Sequence, residues 1–199
     1  MLVEKLPKSD IDKTLKKAIL NFSRKNNNES KDLFYEVLKK DPTNPEAHYY
    51  LGLMFAKDEN HDKAVLHLKS VVDMHINFLY TQQCRMVLGY IYFKNKEYRR
   101  AELEYLEVLK SEVNIVQVYA ALSAIKYYLE EKDDAVKYAE KACNIDPYNL
   151  NAKNTLGFLL SEYELDVEKG VELLREVVRL KPNNPAYLDS LGWAYFKKG

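Results

Sequence analysis

The 199-residue chain has little of what several protein classes require. Its six glycines and six prolines are too few for a turn-rich β-protein, and its two cysteines cannot form a disulfide framework. The 30 lysines and arginines are balanced by 30 aspartates and glutamates, so the formal net charge is zero. Because proteins that hold a phosphate backbone usually carry a cationic excess, nucleic acid is not the expected partner.

Targeting and membrane-spanning segments are also missing from the sequence. No apolar run approaches the roughly 18 residues that a spanning helix needs, and the opening residues MLVEKLPKSDID contain acids but no signal-peptide core. The cytoplasm is therefore the default location. If an upstream signal or anchor was removed from the natural protein, we expect an envelope or periplasmic location instead. Hydrophobic residues make up 47% of the chain, which is enough to build a core and excludes wholesale disorder.

Residues that catalyse reactions or bind metals are not arranged in recognisable motifs. The histidines show no HExxH pattern and no i, i+4 pair, and we interpret them as solvated surface residues. Each cysteine lies alone within a helical pattern and is interpreted as a small buried hydrophobe. No glycine-rich phosphate loop is present. The sequence thus predicts no catalytic site, metal or cofactor; the residues considered are His48, His61, His67, His75, Cys84 and Cys143.

One short pattern recurs along the chain. The stretches HYYLGLMF, RMVLGYIY, KNTLGFLL and LDSLGWAY each have Leu-Gly at the fourth and fifth places and a large apolar residue at the eighth. About a dozen residues after each of the first three Leu-Gly pairs comes a small residue, which is Ala64, Ala101 or Gly170. Ala101 and Ala135 lie 34 residues apart. Such a period indicates an array of repeated structural units.

Local signals predict that each unit is a pair of helices. Apolar residues recur at spacings of three and four, as a helix with one buried face requires. Asn44, Asn149 and Asn184 are predicted N-caps, and a proline follows two of them at the first helical position. Glycine inside a helix costs about 1 kcal/mol relative to alanine. The recurrence of glycine in the Leu-Gly pairs therefore predicts that a neighbouring helix approaches this position too closely for a side chain. The small residue about a dozen positions later is expected to face the glycine.

These motifs resemble the tetratricopeptide repeat (TPR) family, whose consensus has an aromatic residue, Leu-Gly, Tyr, and then Ala, Phe, Ala and Pro. The resemblance covers nearly the whole chain and implies an all-α, TPR-like α-solenoid, a right-handed superhelix of antiparallel helix pairs. Ser123 and Lys126 stand where the family has Gly and Tyr. We divide the chain into a lead-in (1–10), a degenerate first repeat (11–44), repeats two to five (45–81, 82–115, 116–149 and 150–184) and the first helix of a sixth (185–199).

The resemblance also implies a binding surface and a function. TPR proteins bind partners on a concave groove formed by the second, fifth, ninth and twelfth places of each repeat. The family's Lys/Asn/Arg clamp for chaperone C-termini is absent here, and the lining is aromatic and apolar. We therefore expect a scaffold or adaptor that binds a peptide or helix of a partner protein. The groove residues are Tyr49, Leu53, Met86, Tyr90, Phe93, Tyr127, Asn154, Phe158 and Trp193.

Other interpretations of the same pattern remain open. The groove aromatics could instead pack between adjacent helices. The chain could be a regulatory or substrate-presenting segment of a larger enzyme or envelope-assembly complex, and the segment TLGFLLSEYELDVEKGVELLREVVRLKPNNP resembles bacterial TPR proteins of the envelope. Since Gly199 falls at the end of the first helix of repeat six, we expect the natural chain to continue past it. Otherwise the apolar edge would dock on a partner or form a homo-oligomer.

Overall fold

Helices account for all the regular structure in residues 8–111 and 115–199, which are the residues that the computed structural model describes. The first seven residues of the predicted lead-in, and residues 112–114 of predicted repeat three, lie outside the described residues. The all-α prediction is confirmed. The helices are α1 (Lys8–Ser23), α2 (Asn27–Lys40), α3 (Pro45–Lys57), α4 (His61–Met74), α5 (Phe78–Lys94), α6 (Tyr98–Leu109), α7 (Val116–Tyr128), α8 (Lys132–Ile145), α9 (Leu150–Glu162), α10 (Val167–Leu180) and α11 (Pro185–Lys198).

The chain divides into two compact units, Met1–Asn95 and Lys96–Gly199. In the first unit, α1 packs on α2 and α3 on α4, and α5 contacts both α3 and α4. In the second unit, α7 packs on α8 and α9 on α10, while α6 lies against α7 and α11 contacts both α9 and α10. Short turns join the two helices of each pair, as expected for antiparallel hairpins. Each unit therefore contains two helix pairs, with α5 added to the first unit and α6 and α11 added to the second.

Side-chain caps fix where most of these helices begin. The Oδ1 atoms of Asn44 and Asn149 accept hydrogen bonds from the backbone of the first turns of α3 and α9, at 3.0 and 3.1 Å. Asn184 does the same for α11. These three predicted caps are confirmed, and each satisfies a backbone N–H that has no partner within its helix. A cap that was not predicted, Asn77, starts α5 at Phe78.

Two of the Leu-Gly glycines lie at close helix contacts, as predicted. A Cβ atom on Gly157 would lie 2.8 Å from Leu174 Cγ and 3.0 Å from the carbonyl oxygen of Gly170, the small residue expected to face it. A Cβ atom on Gly52 would lie 2.6 Å from Cδ2 of Leu68, so the nearest atoms there belong to Leu68 and not to the predicted Ala64. Real Cβ contacts are longer than this. The backbone oxygen next to Gly157 cannot move aside, whereas next to Gly52 the end of the Leu68 side chain would have to shift.

Buried serines join two other helix pairs. The Ser123 hydroxyl, at the place where glycine was expected, donates to the carbonyl oxygen of Ala135 at 2.8 Å. In the first pair the order is reversed, because Ser30 on the second helix donates to the carbonyl oxygen of Ala18 at 2.9 Å. All four residues are buried. At both contacts, small side chains let the helices approach, and a serine hydrogen bond also links them.

One histidine contradicts the prediction of solvated surface residues. His67 on α4 is only 6% exposed, and its ring stacks on Phe55 at 5.7 Å. Its Nδ1 lies 2.9 Å from Nδ1 of His48, whose Nε2 lies 3.0 Å from the carbonyl oxygen of Pro42. Because that carbonyl can only accept, the neutral His48 carries its proton on Nε2 and accepts at Nδ1, so His67 donates. Because it is buried, the imidazole of His67 is uncharged in the folded chain.

We expect the free energy of unfolding to fall by about 1–3 kcal/mol as the pH drops from about 7 to 4 through protonation of His67. Burial first, and then the neighbouring His48 and Lys63, lower the pKa of His67 from 6.5 to about 4. The unfolded chain therefore takes up this proton before the folded chain does, and stability is lost as the pH falls through that window. Tyr35 on α2 also faces the ring, at 6.1 Å.

Urea unfolding at several pH values measures this effect. His67→Phe keeps an aromatic ring next to Phe55 and should flatten the pH dependence of stability. His75→Gln, at an exposed residue after α4, serves as the matched control and should leave the slope as it is in the unchanged chain. Equal slopes in the His67→Phe variant and the unchanged chain would contradict the assignment.

Candidate functional site

Three of the predicted groove residues meet at one cavity in the second unit. The cavity has a volume of about 380 Å³ and lies between α7, α9 and α11. We call it the Asn154 pocket; its lining includes Ser123, Ala124, Tyr127, Asn154, Phe158 and Ser190. The three predicted members are Tyr127, Asn154 and Phe158.

Helical spacing explains why these side chains share one face. Ala124 and Tyr127 are three residues apart on α7, and Asn154 and Phe158 are four apart on α9. Residues at such spacings lie one above the other on a helix. Because α7 and α9 contact each other directly, the two faces form opposite walls of the pocket. Ser190 on α11 adds a third side.

Aromatic rings pack against one another along one wall of the pocket. The rings of Tyr127 and Phe158 meet edge to face with their centroids 5.6 Å apart, and Tyr163 lies 6.2 Å from Tyr127. Burial, helped by the nearby Glu162 carboxylate, raises the pKa of Tyr127 above its ordinary value. The phenol is therefore neutral at physiological pH and keeps its proton for donation.

The polar feature of the pocket is the side-chain amide of Asn154. Its Oδ1 atom is buried and has no hydrogen-bond partner. Buried polar atoms are nearly always paired, and an unpaired one costs about 1–3 kcal/mol. An N–H group of a bound molecule would satisfy this oxygen once the amide turns toward the pocket, because in the free chain the atom has almost no contact with solvent. No charged side chain is among those that line the pocket.

Trp193 lies outside the lining of this pocket. Its indole Nε1 donates to Oε2 of Glu162 at 2.7 Å, its ring lies 5.4 Å from that of Phe196, and the ammonium of Lys197 lies 5.6 Å from its centroid. The side chain of Trp193 is 39% exposed. It thus forms a small cluster of its own on α11.

The predicted groove residues of the first unit differ widely in their exposure to solvent. Tyr49 is buried, stacks on Tyr80 with centroids 4.3 Å apart, and donates its hydroxyl to Gln83. Burial raises the pKa of Tyr49 to about 12. Tyr90 is 54% exposed, so it differs sharply from Tyr49 in its access to solvent. Other members of the set are half-buried, namely Leu53, Met86 and Phe93.

Sequence reasoning missed two further features of the second unit. Tyr128, Thr155 and Ser190 line the Asn154 pocket, although the family places for partner binding do not include them. Lys126, noted only as a departure from the family tyrosine, is buried among the carboxylates of Glu102 and Glu131. The sequence did contain a signal for this ion pair, namely a lysine where the family has tyrosine, because a buried lysine requires an acidic partner.

Residues 8–111 and 115–199 contain neither a helix that could span a membrane nor a metal-binding cluster. No helix there combines the length and apolar character that crossing a membrane requires. No group of three or more His, Cys, Asp or Glu side chains is placed to hold a metal ion.

Comparison with known proteins identifies similar repeats. Tetratricopeptide repeat profiles match residues 15–77 and 116–149. A curated relative, Hsp70-Hsp90 organizing protein 3 of Arabidopsis thaliana, is 28% identical over 103 residues, which cover 50% of this chain and 18% of the relative. The chain thus aligns with less than a fifth of that relative's length.

Solved structures share the fold at low sequence identity. YrrB, described as a TPR protein with an unusual peptide-binding site, has a TM-score of 0.76 and 16% identity, with 89% of each chain covered. A tetratricopeptide repeat protein from Parabacteroides merdae has a TM-score of 0.81 and 12% identity, covering 96% of this chain and 74% of its own. At these identities the comparisons establish the helical-repeat fold alone.

Proposed function

Because this chain is a tetratricopeptide repeat protein, and therefore of a type that serves as a protein–protein interaction scaffold, we propose that its Asn154 pocket binds a peptide segment of a partner protein. The observation that carries the proposal is the buried, unpaired Oδ1 of Asn154 within an aromatic-walled cavity. The chain itself acts without catalysis, as a binding module.

The pocket suits an extended peptide with an apolar anchor. A backbone N–H of the peptide donates to Oδ1 of Asn154, and an apolar side chain packs against Tyr127 and Phe158. Since no charged residue lines the pocket, the bound side chain is uncharged. The peptide-binding site described for YrrB supports this choice of ligand class.

The expected affinity is modest. An anchoring side chain contributes about 2 kcal/mol, and a hydrogen bond about 1 kcal/mol. The cost of association absorbs much of this gain, so a short peptide should bind with a Kd in the micromolar range or weaker. Tighter binding by a whole partner would require contacts beyond the pocket.

Asn154→Ala is expected to weaken peptide binding about threefold to tenfold without lowering the stability of the fold. The variant loses an acceptor that only the bound peptide uses, and alanine favours the helix slightly more than asparagine does. The probe is a peptide selected from a random display library against the unchanged chain, and its Kd is measured by fluorescence polarisation. Thermal unfolding of the free proteins measures stability.

Asn144→Ala is the matched control, because Asn144 is an exposed asparagine on α8 outside the pocket. It should change neither the Kd nor the unfolding temperature by much. Backbone amide shifts on peptide addition should concentrate in α7 and α9. Unchanged binding to Asn154→Ala, or shifts confined to other helices, would refute the proposed site.

A further inference from the structure

A second cavity, in the first unit, has a different chemical character. It has a volume of about 290 Å³ and lies where the α1–α2 turn meets the end of α3. Three lysines line it, namely Lys25, Lys31 and Lys57. We call it the lysine cavity. It shares no residue with the Asn154 pocket and does not depend on that pocket's proposed role.

The lysine cavity carries an excess of positive charge. Lys31 forms an ion pair with Asp58, the acidic residue of the lining. Lys25 and Lys57 form no ion pair with any other described residue, and both side chains are exposed. Glu29 lies near Lys25 but pairs with Lys17 at 3.1 Å. Three ammonium groups and one carboxylate thus leave two positive charges unmatched.

The backbone adds to this positive field. Asn27, the first residue of α2, lines the cavity. The preceding residue, Asn26, sits at the N-cap, but its side chain makes no capping hydrogen bond; its Nδ2 donates to Oδ1 of Asn21 at 3.1 Å. The first N–H groups of α2 therefore receive no acceptor from the side chain of Asn26. The start of a helix also carries a partial positive charge, so it favours a negative ligand group.

The floor of the lysine cavity is apolar. Phe22, Leu53 and Met54 form it, and Met54 is buried. A free inorganic anion would gain nothing from this floor. A ligand that matches the whole cavity needs an apolar side chain and carboxylates around it. Two unmatched lysines call for two carboxylates, which a single free chain terminus would not supply.

We propose that the lysine cavity binds an acidic segment of a partner protein, in which one aliphatic side chain lies between two carboxylate side chains. The aliphatic group packs on Phe22, Leu53 and Met54. The two carboxylates face Lys25 and Lys57. This gives the first unit a recognition site of opposite character to the neutral pocket of the second.

The probe is a short peptide containing Asp-Leu-Glu, with both ends blocked so that only side chains carry charge. Titration into the isotopically labelled full chain, followed by backbone amide shifts, should move signals of residues 22–31 and 53–58. The double variant Lys25→Ala/Lys57→Ala should weaken binding at least about tenfold. Raising the salt concentration should weaken it further.

The controls separate specific recognition from general charge attraction. Lys69→Ala/Lys94→Ala removes the same charge from two exposed lysines of the same unit and should leave binding unchanged. A probe with Asn-Leu-Gln should not bind, and one with Asp-Ser-Glu should bind several times more weakly than Asp-Leu-Glu. Equal losses in the two lysine double variants, or equal binding of the leucine and serine probes, would overturn the proposal. The Asn154→Ala variant should bind the probe as the unchanged chain does, so the proposals for the two sites are tested independently.

Discussion

Gly157→Ala is expected to lower the free energy of unfolding by about 2 kcal/mol, whereas Gly192→Ala should raise it by about 1 kcal/mol. At Gly157 the new methyl group would lie 3.0 Å from a backbone oxygen of α10, which cannot rotate away, and 2.8 Å from Leu174 Cγ. At Gly192, in the same Leu-Gly motif on α11, nothing lies within 4 Å of the new atom. At Gly192, alanine therefore contributes only its higher helix propensity relative to glycine.

Urea unfolding of the two variants and the unchanged chain, with the same probe and temperature, measures both effects. The pair forms its own control, since the substitution, the preceding leucine and the helical setting are the same. A shift of both variants in one direction would show that helix propensity, and not the close approach of α10, decides the outcome at Gly157.

Much of the fold could be predicted from the sequence because its causes are local. The caps Asn44, Asn149 and Asn184 act on the helices that directly follow them. Gly157 belongs to the Leu-Gly pair that recurs along the chain, and this recurrence predicts a close helix contact at the glycine. The start of α5 at Phe78 was not predicted, since its cap, Asn77, has no proline two residues before it, as the three predicted caps have.

The candidate site could be predicted only in part. Helical spacing is enough to place Asn154 and Phe158 on one face, and the family register pairs them with Tyr127. Which side chains remain accessible depends on neighbouring helices that lie far away in sequence. The burial of Tyr49 against Tyr80, and that of His67 beside His48, are set by such contacts. Local patterns carry no information about them.

Lys126→Met is expected to lower the free energy of unfolding by about 3–5 kcal/mol, the usual cost of removing one partner from a buried ion pair. The Lys126 side chain is 8% exposed, and its ammonium pairs with Glu102 and Glu131 and lies 3.8 Å from Asp134. Burial alone would lower the pKa of Lys126, but hydrogen bonds with Glu102 and Glu131 raise it above its ordinary value. The lysine therefore stays charged, and its loss leaves the buried Glu102 with only Arg99, at 3.0 Å.

A double-mutant cycle tests whether this cost comes from the charge left behind. Lys126→Met/Glu102→Met removes both members of the pair and should recover most of the stability that Lys126→Met loses, because methionine side chains can fill the space without unpaired charge. Lys137→Met, at an exposed lysine on α8, is the matched control and should change stability by less than about 0.5 kcal/mol. If the double variant were no more stable than Lys126→Met, lost packing and not an unpaired carboxylate would explain the effect. Recovery would mean that this repeat joins α6 to α7 by a charge pair, at the place where the family uses tyrosine.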